Sequence, residues 1–156
     1  EPEGAAACFR HIVSQTPRDP DAWVALGAAL LDLHEPQEAL AAFERSLALR
    51  PDSANAYNNV GAVHLDYGDF GLAEEAFRSA LRLDPHNAKA FGNLARVKKF
   101  TPEDEADVSA MERAAGAMGL SREDASELHF ALGKVYDDLK DVGTAFSHYR
   151  LSLIHI

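Results

Sequence analysis

Hydrophobic and polar positions follow the spacing of amphipathic helices along this chain, and the helices come in pairs. Trp23, Leu26 and Leu30 lie three and four residues apart, which places them on one face of a first helix. Ala39 and Phe43 begin a similar apolar stripe on a second helix. The pattern predicts two antiparallel helices that pack through their apolar faces.

The same residue types recur at a fixed period of 34 positions. The first set is Trp23, Leu26, Gly27, Ala39, Phe43 and Pro51, and the second set is Tyr57, Val60, Gly61, Ala73, Phe77 and Pro85. A period of this length is typical of stacked helical hairpins, because one hairpin cannot bury its apolar faces alone and its neighbours complete the core. The sequence therefore predicts an all-α solenoid.

Each repeated position has a physical role in such a hairpin. Gly27 is small, so the two backbones approach closely where the helices cross, and Phe43 fills the space beside the crossing. Pro51 ends the second helix because it has no amide donor, and Pro36 is suited to the start of a helix. Gly68 suits the turn between the two helices of the second copy.

Partial copies of the repeat flank the two complete ones. They consist of Ala5, Phe9 and Pro17 before them, and of Phe91, Leu94, Ala95, Leu132, Gly133, Tyr136, Ala145 and Tyr149 after them. Both ends fall inside repeats, so we interpret the chain as a fragment of a longer protein. The predicted division is the second helix of a truncated repeat at 1–18, full repeats at 20–53 and 54–87, an irregular hairpin with a lengthened second helix at 88–125, and a partial repeat, truncated at its C-terminus, at 126–156.

The irregular region carries its own helix signals. Thr101 reads as an N-cap before Pro102, and the acidic residues that follow favour a helix from about residue 103 to 118. Gly119 is the predicted stop, and Ser121 starts the next helix with Asp124 as an approximate capping-box partner.

Residues 20–87 resemble tetratricopeptide repeats, since Trp or Tyr, Leu or Val, Gly, Ala, Phe and Pro stand at that family's offsets in two complete copies. The resemblance implies a right-handed superhelical solenoid of antiparallel helix hairpins. In that family the first helices line a concave groove, which commonly binds extended peptides or helices of partner proteins.

Residues 88–150 show a second resemblance. The segments 99–104, 119–121 and 128–134 resemble the region that joins repeats to catalysis in bacterial tetratricopeptide-repeat sulfotransferases. In that family a catalytic domain follows and transfers sulfate from PAPS. The resemblance implies a non-catalytic N-terminal arm of such an enzyme, and the alternative is a free-standing adaptor or scaffold with no enzymatic domain. The apolar end, residues 151–156, departs from the family's pattern and is given no function.

Composition narrows the class of partner. Hydrophobic residues make up 47% and charged residues 26%, and no run of about 18 apolar residues is present. The net charge of −10 argues against nucleic acid and anionic membrane as partners. We expect a cytoplasmic protein. The single cysteine, Cys8, excludes an internal disulfide and is expected to be packed, and Met111 and Met118 are expected to share a packing stripe.

No motif for catalysis, cofactor or metal emerges. Gly68 and Gly71 lie in a repeat turn, and Gly133-Lys134 is followed by Val135, where a phosphate-binding loop needs Ser or Thr. The seven histidines form no pair with metal-ligand spacing, and His129 is expected to be half-buried beside a core face. We expect neither catalysis, a cofactor nor a metal in this segment.

The groove is the surface with a functional argument. Steps of four, three and four residues keep to one face of each first helix. These faces are 21, 25, 28 and 32 in the first copy, 55, 59, 62 and 66 in the second, 89, 93, 96 and 100 in the third, and 127, 131, 134 and 138 in the last. The predicted peptide-binding residues are Asn55, Asn59, Lys89, Asn93 and Arg96.

Two chemical properties support that choice. Asn59 and Asn93 hold the same repeat position, and an amide that both donates and accepts can bond a peptide backbone of any sequence. Lys89 and Arg96, with Lys98 and Lys99 nearby, form a basic spot in an acidic chain, suited to an acidic partner segment. The alternative is that these are solvated polar side chains.

Overall fold

The computed structural model describes residues 2–154, which fold into helices joined by short turns. The helices are α1 (Pro2–Gln15), α2 (Pro20–Asp32), α3 (Pro36–Leu49), α4 (Ala54–Tyr67), α5 (Phe70–Leu83), α6 (Ala88–Val97), α7 (Glu105–Ala115), α8 (Arg122–Asp138) and α9 (Val142–Ile154). A 3-10 turn, Pro102–Asp104, precedes α7. Across residues 2–154 the backbone forms no strand, so the predicted all-α fold class is confirmed.

The chain divides into two compact units, Glu1–Leu83 and Asp84–Ile156. The first unit holds α1 to α5, in which each helix packs on the next from α1 to α5. The second unit holds α6 to α9, in which α8 is the shared partner of α6, α7 and α9.

Side-chain caps and turns set the helix ends. Asp19, Ser53, Asn87 and Ser121 each accept hydrogen bonds from backbone N–H groups in the first turn of the helix that follows. The turns of the regular hairpins use a left-handed residue at one repeat position, which is occupied by His34 (φ 58°), Gly68 (φ 80°) and Lys140 (φ 66°). The predicted turn at Gly68 and helix start at Pro36 are both confirmed.

A glycine-aromatic pair sets the distance between the helices of each hairpin in the first unit. Phe43 and Phe77 have no exposed surface. A Cβ placed on Gly27 would lie 2.4 Å from the Phe43 ring, and one on Gly61 would lie 2.5 Å from the Phe77 ring. Since real Cβ atoms do not approach so closely, glycine is required for the crossing that buries the rings, as the repeat predicted.

The second unit keeps this pair once, where Gly133 on α8 faces Tyr149 on α9 and a Cβ added to the glycine would lie 2.6 Å from the ring. The rest of its core comes from other residues. Those with 1% exposure or less include Leu94, Phe100, Met111, Leu128, Leu132 and Val135. The second unit therefore buries a comparable set of apolar side chains without the regular hairpin pattern.

The prediction of a lengthened second helix around residues 103–118 is wrong. The α-helix runs only over 11 residues and ends at Ala115, where Gly116 caps it by donating its N–H to the Glu112 carbonyl. Gly116 was missed because Gly119 offered the more obvious stop. Gly119 instead adopts a left-handed conformation (φ 86°) in the loop that leads to α8. The extra residues of the stretched repeat lie in loops rather than in the helix.

Two packing predictions are also wrong. Met118 is fully exposed because α7 ends before it, whereas Met111 is buried as expected. Cys8 is exposed rather than packed. The division into repeats remains a prediction, and the last residues of the apolar end, His155 and Ile156, lie outside the described residues. Within the described part of the chain, no helix is both long and apolar enough to cross a membrane.

Candidate functional site

The predicted binding residues of the first unit lie on one face of α4. Asn55 is exposed and Asn59 is half-buried, whereas their neighbour Asn58 is buried. Ala62 is half-buried and Asp66 exposed on the same face. This side of α4 is therefore accessible, as the four-three-four spacing predicted, and it presents amide and carboxylate groups.

The predicted binding residues of the second unit lie on α6. Lys89 and Arg96 are exposed and Asn93 is half-buried. The Arg96 guanidinium lies at the edge of hydrogen-bonding distance from the Asn93 side-chain oxygen, 3.5 Å from Nη1 to Oδ1. Phe100, placed on the same face from the sequence, is instead buried at 1% exposure, because α6 ends at Val97 and the chain turns inward.

The basic spot is smaller than the sequence suggested. Lys98 points to Asp104, with 2.9 Å from Nζ to Oδ1, and its ammonium lies 5.8 Å from the centre of the Phe100 ring. The hydrogen bond from Lys98 holds the pKa of Asp104 below its usual range. Lys98 is thus committed to the fold, and Lys89, Arg96 and Lys99 remain as the exposed cations of this region.

A pocket of about 210 Å³ lies between α6 and α8. Its lining includes Arg96 and Phe130, and Phe130 is 56% exposed. The Glu127 carboxylate packs over Gly92, where an added Cβ would lie 1.9 Å from the carboxylate oxygen and would displace that side chain. The pocket joins a cation to an exposed aromatic surface on two rigid helices.

The face predicted on α8 is largely used for packing. Ala131 is buried, and Lys134 donates to Asp138 (2.6 Å) and to the carbonyl of Lys98 (3.2 Å). Burial alone would raise the pKa of Asp138, but the hydrogen bonds from Lys134 and from the Phe100 N–H (3.1 Å) lower it. The hydrogen bonds from Lys134 to the Lys98 carbonyl and from the Phe100 N–H to Asp138 hold α8 against the segment that follows α6. The main role of Lys134 is therefore structural.

Sequence reasoning missed a polar and aromatic cluster where α7, α8 and α9 meet. Tyr136 donates a hydrogen bond to Glu112, which together with burial raises the pKa of Tyr136 to about 12. The Tyr136 ring stacks on His148 with 5.6 Å between centroids, and His148 lies 3.1 Å from His129 between their Nδ1 atoms. Burial lowers the pKa of His148. His129 is half-buried, as expected. Only the packing of α9 on α8 brings the two histidines together, so the sequence carried no signal for the pair.

The sequence matches the family model of the tetratricopeptide repeat over residues 19–86. This segment covers the helices with the glycine-phenylalanine pairs, and it is similar to tetratricopeptide repeats over that range. Comparison with curated proteins gives no match.

Solved structures share the fold over nearly the whole chain. MamA, residues 41 to the end, from Desulfovibrio magneticus RS-1 is 25% identical with a TM-score of 0.71, and the match covers 99% of this chain and 85% of MamA. PilF of Pseudomonas aeruginosa is 20% identical with a TM-score of 0.76, covering 99% and 69%. Cut9, in the APC/C hetero-tetramer Cut9-Hcn1, is 18% identical with a TM-score of 0.79, covering 99% and 30%. These similarities define a tetratricopeptide-type helical repeat fold, which is generally a protein-binding module.

Proposed function

We propose that this chain is a protein-interaction module whose α6–α8 pocket binds an extended acidic segment of a partner protein. The observation that carries the proposal is the placement of exposed Arg96 beside exposed Phe130 in one pocket of about 210 Å³. A guanidinium pairs with a carboxylate through two parallel hydrogen bonds, and the aromatic ring takes an apolar neighbour of that carboxylate.

The asparagines supply the sequence-independent part of binding. Asn93 adjoins Arg96 on α6 of the second unit. Asn59 and Asn55 on α4 form a separate candidate contact of the first unit. Each amide donates to a backbone carbonyl and accepts from a backbone N–H of an extended partner. Lys89 adds positive charge at the start of α6. The partner class proposed is therefore an extended peptide with acidic residues.

Binding of a labelled peptide tests this assignment. The probe is a fluorescein-labelled peptide of alternating Asp and Leu, measured by fluorescence anisotropy against a peptide in which Asn replaces Asp. Arg96→Gln should weaken binding by about tenfold or more, because a charged hydrogen-bond pair is lost. Asn93→Ala should weaken binding of both peptides, and Asn59→Ala tests the α4 face of the first unit separately.

The matched control is Arg45→Gln, which removes an exposed arginine on α3 and changes the net charge equally. If Arg45→Gln and Arg96→Gln weaken binding equally, the loss reflects the net charge of the chain rather than a contact of Arg96 with the peptide. Binding unchanged by Arg96→Gln or by Asn93→Ala would contradict the assigned site on α6 and α8, and binding unchanged by Asn59→Ala would contradict the candidate contact on α4.

Two hypotheses describe the kind of protein to which this module belongs. We propose that the module is the N-terminal arm of a PAPS-dependent sulfotransferase, supported by the sequence resemblance of residues 88–150; the family and fold comparisons give it no support. The alternative is a free-standing adaptor, which they do not contradict. Reading the gene downstream of codon 156 separates them. A sulfotransferase domain with a glycine-containing donor loop supports the first, and a stop codon after a polar capping helix supports the second.

A further inference from the structure

A second and larger cleft lies in the second unit, between α7 and the end of α8. Its volume is about 440 Å³. Its apolar surface comes from Pro102, Val108, Leu139 and the Tyr136 ring. Val108 is buried, and Leu139 and Tyr136 are half-buried, so these side chains form the floor rather than the rim.

The charged side chains at the rim of this cleft are all acidic. Glu105, Glu112 and Asp141 line it and are all exposed, and its lining contains no Lys, Arg or His. Asp141 also caps α9 by accepting from the Thr144 N–H (3.1 Å) and hydroxyl (2.7 Å), which fixes its carboxylate. Glu112 is held by the Tyr136 hydroxyl. Two of the three carboxylates are therefore held in place before any partner arrives.

Contacts among its own side chains also hold the floor in place. Tyr136 stacks on His148 with an interplanar angle of 2°, and its hydroxyl is bonded to Glu112. Because these side chains are already ordered, a ligand that binds here loses little free energy to the ordering of the site, which favours specific binding.

We propose that this cleft binds an arginine or lysine side chain from an extended basic segment of a protein partner. The aliphatic stem packs on Val108 and Leu139, and the cationic head reaches Glu105 and Glu112 at the rim. Long cationic side chains suit such a site, because they bury an apolar stem while the charge stays with its partners.

The proposal is independent of the α6–α8 pocket. That pocket is lined by two cations, Arg96 and Lys134, and one carboxylate, Glu127, whereas the charged residues of the cleft are all acidic, so the two sites favour segments of opposite charge. Substitutions in one leave the lining of the other unchanged. A failure of the acidic-peptide assignment therefore leaves the basic-segment assignment standing, and the reverse also holds.

The test uses the whole chain and two labelled peptides that differ in one property. The first is Gly-Ser-Leu-Arg-Leu-Ser-Gly with a fluorescein label, and the second carries citrulline, which has the shape of arginine without its charge. We expect the arginine peptide to bind and to weaken as salt rises, and the citrulline peptide to bind at least about fivefold more weakly. Replacement of arginine by lysine should retain binding.

The decisive variant is Glu105→Gln with Glu112→Gln, which removes two rim charges and leaves an acceptor for the Tyr136 hydroxyl. It should weaken the arginine peptide by about fivefold or more. The matched control is Glu44→Gln with Glu75→Gln, two exposed glutamates of the first unit. Equal loss in both double variants, equal binding of the citrulline peptide, or no binding of the arginine peptide at millimolar concentration would overturn the proposal.

The variant Ser109→Trp provides a second test of the site, and this test does not depend on charge. Ser109 lines the cleft and is half-buried, so an indole there fills the space. Loss of arginine-peptide binding with an unchanged circular dichroism spectrum supports the cleft as the site. Retained binding places the peptide elsewhere and contradicts it.

Discussion

The regular helices α2–α5 and the irregular set α6–α9 solve the same packing problem in different ways. In α2–α5, a glycine on each first helix admits a fully buried phenylalanine from the second. In α6–α9, three helices, α6, α7 and α9, all pack against α8. The glycine-aromatic pair occurs there once, between Gly133 and the half-buried Tyr149.

The two regions also differ in their clefts. Where the repeat is regular, the helix crossings bury apolar side chains, and a pocket of about 260 Å³ lies beside Leu31, Asp66 and Tyr67. Where it is stretched, α7 and α8 leave a cleft of about 440 Å³, and α6 and α8 enclose a smaller pocket. The cleft between α7 and α8 has the largest volume of these three sites and a rim of carboxylates, and concave sites with a few polar groups are where ligands are expected to bind.

The largest expected effect separates the two kinds of aromatic position. Phe77→Ala should lower the free energy of unfolding by about 3–5 kcal/mol, because the ring is fully buried and its cavity cannot collapse. Tyr149→Ala, at the equivalent position of the last hairpin, should cost less than about 3 kcal/mol because its ring is partly exposed. Urea unfolding monitored by circular dichroism measures both, and equal losses would mean that the two regions pack equally tightly.

Glycine substitutions test the close crossing. Gly61→Ala should cost about 1–3 kcal/mol, because the new methyl group would meet the buried Phe77 ring. Gly71→Ala is the matched control: Gly71 lies in α5, and a Cβ added there would have nothing within 4 Å, so it should be neutral or stabilise by up to about 1 kcal/mol. A loss at Gly71 as large as that at Gly61 would contradict the crossing as the cause, because alanine is the better helix former and no close contact at Gly71 explains a loss.

The ion pair that fastens α8 in the irregular region should be sensitive to acid. The folded-state pKa of Asp138 is lowered from 3.8, so its stabilising contribution is present above pH 3.8 and is lost as the pH falls through the lower folded value. Asp138→Asn should cost about 1–2 kcal/mol at neutral pH. The wild-type and variant stabilities should converge below the folded pKa.

Asp137→Asn is the control for that experiment, since Asp137 is exposed on the same helix. It should change stability little at any pH. If its pH profile matches that of Asp138→Asn, the effect belongs to the net charge of the chain rather than to the Lys134 pair.

The smallest effect is expected at the hairpin turns. Lys140 and Gly68 share a repeat position with positive φ, which costs a non-glycine residue about 1 kcal/mol or more. Lys140→Gly removes that strain but raises the entropy of the unfolded chain by a similar amount, so a gain of at most about 0.5 kcal/mol is expected. Gly68→Ala should instead destabilise, and thermal unfolding of both variants checks the sign.

The predictions made from the sequence were accurate where the 34-residue repeat is regular. Gly27, Phe43 and Gly68 were assigned correctly because each acts through neighbours at fixed offsets within a hairpin. The end of α7 at Ala115 was missed, because Gly116 and Gly119 are both acceptable stops locally and only packing on α8 distinguishes them. Of the candidate groove residues, exposure agrees with the prediction at Asn55, Lys89 and Arg96, and their binding role remains to be tested.

The sequence by itself determined the helical class, the hairpin units and the glycine-aromatic crossings, because these depend on contacts between residues a few turns apart. The Lys134–Asp138 ion pair likewise has the i,i+4 spacing of a pair on one helix, so it depends on local sequence. The tertiary structure alone decided that His129 meets His148 and that Asp141 shares a cleft with Glu105 and Glu112. The two histidines lie on α8 and α9, and Asp141 lies between those helices, whereas both glutamates lie on α7. Their meeting depends on how α8 packs against its three neighbours, which a one-dimensional pattern does not encode.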